Sequence, residues 1–214
     1  MKSFLLILLV FCNVLLLQAQ APVANFIAIT PTSGCGFLSV SFQDQSTGSP
    51  TSWDWDFGDG TTHSTLKNPT HVYASFGTYT VKLKVTNANG SNTFTRTNYI
   101  VVHKNPIANF SGLPLSGCQP LTVSFSDITT QGDGPVASWT WNFGDGYSST
   151  TGNPTHTYTN AGTYNVILLI TDIYGCSSNK TINNYITVYP NPVAGFTSTN
   201  NTACSSPATV DFTS

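Results

Sequence analysis

Polar and apolar residues alternate with a period of two along most of this chain. Val40 and Phe42 alternate with Ser39 and Ser41, and Trp53, Trp55 and Phe57 with Asp54 and Asp56. Tyr79, Val81, Leu83 and Val85 alternate with Thr80, Lys82, Lys84 and Thr86. A strand turns successive side chains to opposite faces, so each run predicts a strand with one dry face and one wet face. The segments "GDG", "NP", "FGT" and "NANG" separate the runs, and Gly, Pro and Asn there supply the backbone angles that turns need. Beyond the leader no stretch carries apolar residues at helical spacing.

The pattern is written twice. "GCGFLSVSFQDQST" at 34–47 is answered by "GCQPLTVSFSDITT" at 117–130, and "SWDWDFGDG" at 52–60 by "SWTWNFGDG" at 138–146. "NPTHVYASFGTYTVKLKVTNANG" at 68–90 is answered by "NPTHTYTNAGTYNVILLITDIYG" at 153–175, and "NYIVVH" at 98–103 by "NYITVY" at 184–189. "VANF" at 23–26 returns as "IANF" at 107–110 and "VAGF" at 193–196. Self-similarity at a fixed period marks a repeat architecture. About seven short strands per repeat, each with one wet face, predict an all-β chain of tandem antiparallel sandwiches. Two Trp per repeat, packed on Tyr, Val and Leu, would supply much of the core, at roughly 1.5–3 kcal/mol for each large apolar side chain. The predicted layout is a first domain at 22–104, a second at 105–190 and the truncated start of a third at 191–214. The linkers "HKNPI" and "YPNPV" are short and carry proline, which predicts a semi-rigid string. The chain stops inside the third copy, so it is read as a fragment, or the start, of a longer protein.

Composition narrows the function classes. Charged residues make up only 7% of the chain and the net charge is −2, so no basic field exists to hold nucleic acid or an anionic membrane surface. Lys2, the apolar run Phe4 to Leu17 and the small residues Ala19 and Ala21 make up the pattern of a secretory signal peptide, residues 1–19, with no membrane span in the mature chain. Export predicts a secreted or cell-surface location and an oxidising compartment. Past Cys12 the cysteines are Cys35, Cys118, Cys176 and Cys204, with no CxxC pair to suggest zinc. Cys35, Cys118 and Cys204 are equivalent, and Cys176 has Ser91 as its counterpart. A disulfide between Cys118 and Cys176, with Cys35 single, is therefore expected; closing that 58-residue separation would restrict the unfolded chain by roughly 4 kcal/mol.

The W-x-F-G-D-G, H-x-Y and G-x-Y-x-V-x-L series, present in both repeats, resembles the PKD (polycystic kidney disease) domain from 22 to 189, with a partial copy from Val193. The resemblance implies immunoglobulin-like sandwiches, often in tandem in extracellular proteins such as bacterial-type surface proteins, beside secreted hydrolases or in adhesins. It implies no catalysis.

The acids of "WDWDFGDG" are the obvious candidates for chemistry. Asp54 and Asp56 become Thr140 and Asn142 in the second repeat. The elements that recur are Trp53, Trp55, Phe57, Gly58, Asp59, Gly60, His71 and Tyr73, matched by Trp139, Trp141, Phe143, Gly144, Asp145, Gly146, His156 and Tyr158. An EF-hand register starting at Asp54 fails, because its fifth position is Gly58 and its twelfth Thr65. Asp59 and Asp145 are read as acceptors of backbone N–H groups in tight turns, with the glycines supplying positive φ. The alternative is calcium, which some members of the family bind, held by Asp59 or Asp145 with backbone carbonyls and by Asp172 in the second repeat. His71 and His156 are read as structural, packing beside the Trp and bonding a loop carbonyl. Neither HExxH nor GxSxG with partners occurs, so no catalytic residue and no cofactor is expected. The expected function is a non-catalytic spacer and adhesion module making contacts with an extracellular protein or polysaccharide. The second reading is an accessory carbohydrate- or substrate-binding region of a longer secreted hydrolase; Phe37, Tyr147 and Tyr174 are the loop aromatics that could stack on sugars.

Overall fold

The computed structural model describes residues 20–193, 195, 197–198 and 212–213. The expected signal peptide, and most of the expected third repeat including Cys204, lie outside the described residues. The chain divides into two compact units, Met1–Val102 and His103–Ser214.

In the first unit, β1 (Phe26–Ala28), β3 (Leu38–Asp44) and β5 (Thr70–Tyr73) form one sheet in the order β1-β3-β5. The other sheet holds β2 (Ser33–Cys35), β4 (Ser52–Asp56), β6 (Gly77–Asn87) and β7 (Gly90–His103), in the order β2-β7-β6-β4. The second unit repeats this plan. Its first sheet is β8 (Phe110–Leu113), β10 (Leu121–Asp127) and β13 (Thr155–Tyr158). Its second sheet runs β12-β11-β14-β15-β9, from β9 (Ser116–Cys118), β11 (Val136–Asn142), β12 (Ser148–Ser149), β14 (Gly162–Asp172) and β15 (Ser177–Tyr189). Both units are antiparallel immunoglobulin-like sandwiches, with the parallel pairing of β9 on β15 closing the larger sheet of the second. Among the described residues there is no helix, and hence none long and apolar enough to cross a membrane.

Alternation sets what lies between the sheets. Val40, Phe42, Trp55, Tyr73, Val81, Leu83 and Val85 fill the first core, and Val123, Phe125, Trp141, Tyr158, Val166, Leu168 and Ile170 the second. The two Trp of each repeat separate in role. Trp55 and Trp141 are fully buried, and each satisfies its ring N–H on a loop carbonyl, Leu66 O and Thr151 O, at 2.9 Å. Trp53 and Trp139 are only half-buried. Their Nε1–H groups donate to Asp44 Oδ2 at 2.9 Å and Asp127 Oδ2 at 2.7 Å. The same carboxylates accept the Ser46 and Thr129 N–H groups through Oδ1, pinning the turn that follows β3 and β10.

β7 and β15 each bend at a repeated Asn-Tyr. The register of β6 on β7 shifts between Tyr79 and Val81, and that of β14 on β15 between Tyr164 and Val166. Asn98 and Asn184 take left-handed backbone there, at φ 52° and 53°, a conformation asparagine tolerates better than most residues. Their N–H groups are met by Thr80 Oγ1 and Asn165 Oδ1.

Candidate functional site

The "FGDG" turn follows β4 and β11. The chain reverses at Gly58–Gly60 and returns to pair Ser64 with Trp55; in the second repeat it reverses at Gly144–Gly146 into β12. Gly58 and Gly144 lie at φ 79° and 86°, and a Cβ at either would collide with a neighbouring strand's carbonyl oxygen, Thr80 O or Asn165 O. Glycine is required there by space as well as by angle.

The three acids of the first repeat go to different partners. Asp54 faces outward and bonds His63 Nδ1 at 2.8 Å. Asp56 accepts Gly58 N–H through Oδ1 at 2.9 Å and Lys82 Nζ through Oδ2 at 3.0 Å. The Lys82 hydrogen bond is the main reason the Asp56 carboxyl sits below its ordinary range. Asp59 turns inward. Its Oδ1 accepts both the N–H and the hydroxyl of Thr61, and its Oδ2 meets His71 Nε2 at 2.7 Å. A carboxylate only accepts, so His71 carries its proton on Nε2. Burial pushes the Asp59 carboxyl up, but the Thr61 and His71 donors outweigh it and hold it below its ordinary range.

His71 reaches this position because β5 alternates, putting His71 and Tyr73 on the same inward face. Its ring lies flat on Phe57, with centroids 4.0 Å apart and planes 3° from parallel, and edge-on to Tyr73. The Tyr73 hydroxyl donates to Phe57 O at 3.1 Å; burial of that hydroxyl raises its pKa strongly. The second repeat rebuilds the set. His156 stacks on Phe143 at 4.2 Å and bonds Asp145 Oδ2 at 2.7 Å, and Tyr158 donates to Phe143 O at 3.0 Å. The histidines thus pack on phenylalanine rather than beside the buried Trp, and their partner is a carboxylate rather than a loop carbonyl. The repeated Asp-His pairing was visible in the sequence only as two recurring letters twelve residues apart in one copy and eleven in the other.

The carboxylates of Asp59 and Asp145 are both engaged by the protein's own donors. In each case one carboxylate oxygen is committed to a histidine N–H and the other to turn donors, a set built from hydrogen-bond donors rather than from oxygens facing a cation. Asp172 is remote in the fold plan, at the end of β14 beside the β14–β15 turn, while Asp145 follows β11 at the "GDG" turn. Among the described residues no group of three or more His, Cys, Asp or Glu gathers as a metal site.

The expected Cys118–Cys176 disulfide is not formed. Cys118 is exposed and free, and disulfide bonding falls on Cys35 and Cys176. The strand plan gives the reason. Cys118 pairs with Tyr189 at the last residue of β15, and Cys176 immediately precedes its first, Ser177. Thirteen extended residues separate the two ends by roughly 40 Å, where a disulfide needs Cα atoms within about 7 Å. Cys35 is therefore not the single cysteine. The loop aromatics Phe37, Tyr147 and Tyr174 are all exposed, and Tyr174 also stacks on His103 at 4.0 Å. The functional residues that went unread are Asp44 and Asp127. Their signal was present, an Asp at the same place in "SFQDQS" and "SFSDIT".

Fold and site define a tandem immunoglobulin-like module whose repeated polar cluster ties a glycine turn to an edge strand. The chain belongs to the PKD domain family, whose model matches residues 19–102 and again 103–188. It is 45% identical over 75 residues to "Collagenase ColA" of Bacillus cereus, covering 35% of this chain and 8% of that protein. It is 40% identical over 72 residues to "Pre-pro-metalloprotease PrtV" of Vibrio cholerae, covering 34% and 7%. Among solved structures it is similar to the PKD1 domain of Vibrio anguillarum Epp, at 32% identity over 41% of this chain and 99% of that one, with a TM-score of 0.36. The chain spans less than a tenth of the length of these two curated relatives.

Proposed function

We propose that this chain is a non-catalytic extracellular spacer and adhesion region, which presents tandem sandwiches to an extracellular protein or polysaccharide. One observation carries the reading. The acids and histidines shared by both repeats bond to each other and to their own turns, so the duplicated polar chemistry is spent on holding shape. The leader pattern and the disulfide-bonded cysteines support export.

The relatives favour a second reading, an accessory substrate-binding region of a longer secreted hydrolase. Both are proteases in which the matching stretch is a small share of the whole. Bead-bound residues 20–214 incubated with fibrillar collagen and with insoluble polysaccharides separate the two. Retention on several polymers without hydrolysis is the expected result, and retention confined to collagen favours the accessory role. Hydrolysis that persists through purification and disappears in an Asp59→Asn, Asp145→Asn double variant would overturn both.

A further inference from the structure

The second repeat buries an acid that the turn lock does not use. Asp172 ends β14 and is only 3% exposed. Its Oδ1 accepts the Tyr174 N–H at 2.9 Å and the Cys176 N–H at 2.8 Å, and its Oδ2 is buried with no hydrogen-bond partner among the described residues. An unpartnered buried carboxylate oxygen is costly and unusual in a native structure. The backbone of Asp172 is tied to the same residue, since its N–H donates to Cys176 O at 2.9 Å. Cys176 is itself fully buried and disulfide-bonded.

The first repeat supplies the control. There the acid is Asn87 and the cysteine is Ser91, so the charge and the cysteine at this turn occur together in one copy and are absent together in the other. Asn87 keeps the shared part of the job, accepting Asn89 N–H through Oδ1 at 2.8 Å. Its Nδ2 donates to Gln20 O and Gly48 O, so an amide at this place finds partners that a carboxylate oxygen does not. Closing the turn therefore needs only a carbonyl-type oxygen. The negative charge in the second repeat calls for a different explanation, and Cys176 is the neighbour whose chemistry a charge would alter.

We propose that Asp172 is a positioning residue that fixes the Cys176 backbone and protects its disulfide from reduction by small thiols. Because Cys176 is buried, an external thiolate attacks the sulfur bonded to it. A new S–S bond forms there, the original one breaks, and its electron pair leaves on Cys176 Sγ as a thiolate; the second thiol of a dithiol reductant then closes the reductant's own disulfide. Exchange slows when the leaving sulfur is a poor thiolate. The Asp172 carboxylate, buried and with one oxygen unpartnered among the described residues, opposes a second negative charge on its neighbour, and low local dielectric strengthens that opposition.

The test is the rate at which dithiothreitol reduces the oxidised chain, residues 20–214, read by alkylation of Cys176 and mass spectrometry. Asp172→Asn keeps the Oδ1 acceptor and removes the charge, as the first repeat does with Asn87. It is expected to be reduced about tenfold faster, with a melting temperature equal to or above that of the wild type. Asp133→Asn removes a more exposed acid from a loop whose Pro135 carbonyl accepts the Ile173 N–H, and is expected to stay within about twofold of the wild type. An unchanged rate in Asp172→Asn overturns the proposal. So does an increase matched by a fall in melting temperature, which would mark a loosened turn, or an equal increase in Asp133→Asn, which would mark a diffuse charge effect.

Discussion

The two repeats share a core and differ in their charges. Trp55 and Trp141, Tyr73 and Tyr158, and Phe42 and Phe125 occupy matching places with nearly matching ring geometry: Phe42–Trp55 and Phe125–Trp141 centroids both lie 5.5 Å apart. Around that core the first repeat uses ions. Arg96 sits 5.0–5.4 Å from the rings of Phe26, Phe94 and Tyr99 and donates to Phe26 O at 3.0 Å, while the second repeat has Ile182 there. His63 and Lys82 hold Asp54 and Asp56, where the second repeat has Thr140 and Asn142 and no ion pair. Asn142 nonetheless makes the same bond to the turn, Oδ1 to Gly144 N–H at 2.9 Å. The comparison teaches that the turn needs an oxygen at that position and not a charge. Of the acids in "WDWDFGDG", only Asp59 has an acid as its counterpart, Asp145, and each faces a histidine from inside.

The largest expected effects come from the shared core. Trp55→Ala and Trp141→Ala each remove a fully buried indole and its hydrogen bond, at a cost of about 3–5 kcal/mol. For domains of this size that moves a transition by well over 10 °C, and calorimetry is expected to show one repeat displaced while the other holds. A joint collapse would break the picture of two independent cores.

Next come the turn acids. Asp59→Ala and Asp145→Ala each strand donors at about 1–3 kcal/mol. Asp59 takes a short hydroxyl bond from Thr61 that Asp145 lacks, so the first substitution is expected to cost more in thermal melts. Equal costs would show that the Thr61 hydroxyl adds nothing.

A smaller effect separates the copies. Arg96→Ile installs the residue of the second repeat and is expected to cost about 1 kcal/mol, through lost cation–π contact and the bond to Phe26 O. Denaturant titration checks it. A neutral result would make the arginine a surface residue that happens to lie on rings.

The smallest effect is in pH. The Asp56 and Asp59 carboxyls sit below their ordinary range in the folded chain, so acid protonates the unfolded state first. The stabilisation from both is complete above the usual carboxylate value near 4 and is lost as pH falls through the depressed folded values. Melting temperature followed from pH 7 to pH 3 is expected to fall less steeply in Asp56→Asn than in the wild type. An identical acid limb would remove Asp56 from the account.

Strand positions were legible because a period of two leaves a mark on every side chain, and Trp55, Val81, Leu83 and Val85 followed it. Trp53 obeyed the same pattern but stays half-buried, because its ring N–H reaches Asp44 at the sandwich margin. The disulfide was misread for a physical reason. Equivalence between repeats shows which cysteines correspond, while pairing depends on which end of a strand each occupies, and Cys118 and Cys176 sit at opposite ends of β15. The Asp59–His71 pair was hidden because the two residues meet across sheets, and strand alternation within one sheet carries no information about that distance.

Thermal melting of the chain with calcium and with chelator tests most directly the claim that the acids of "FGDG" hold turns. The wild type is expected to melt at the same temperature in both, and Asp145→Ala to melt lower and equally unresponsive. A rise of several degrees with calcium in the wild type, lost in Asp145→Ala, would contradict it.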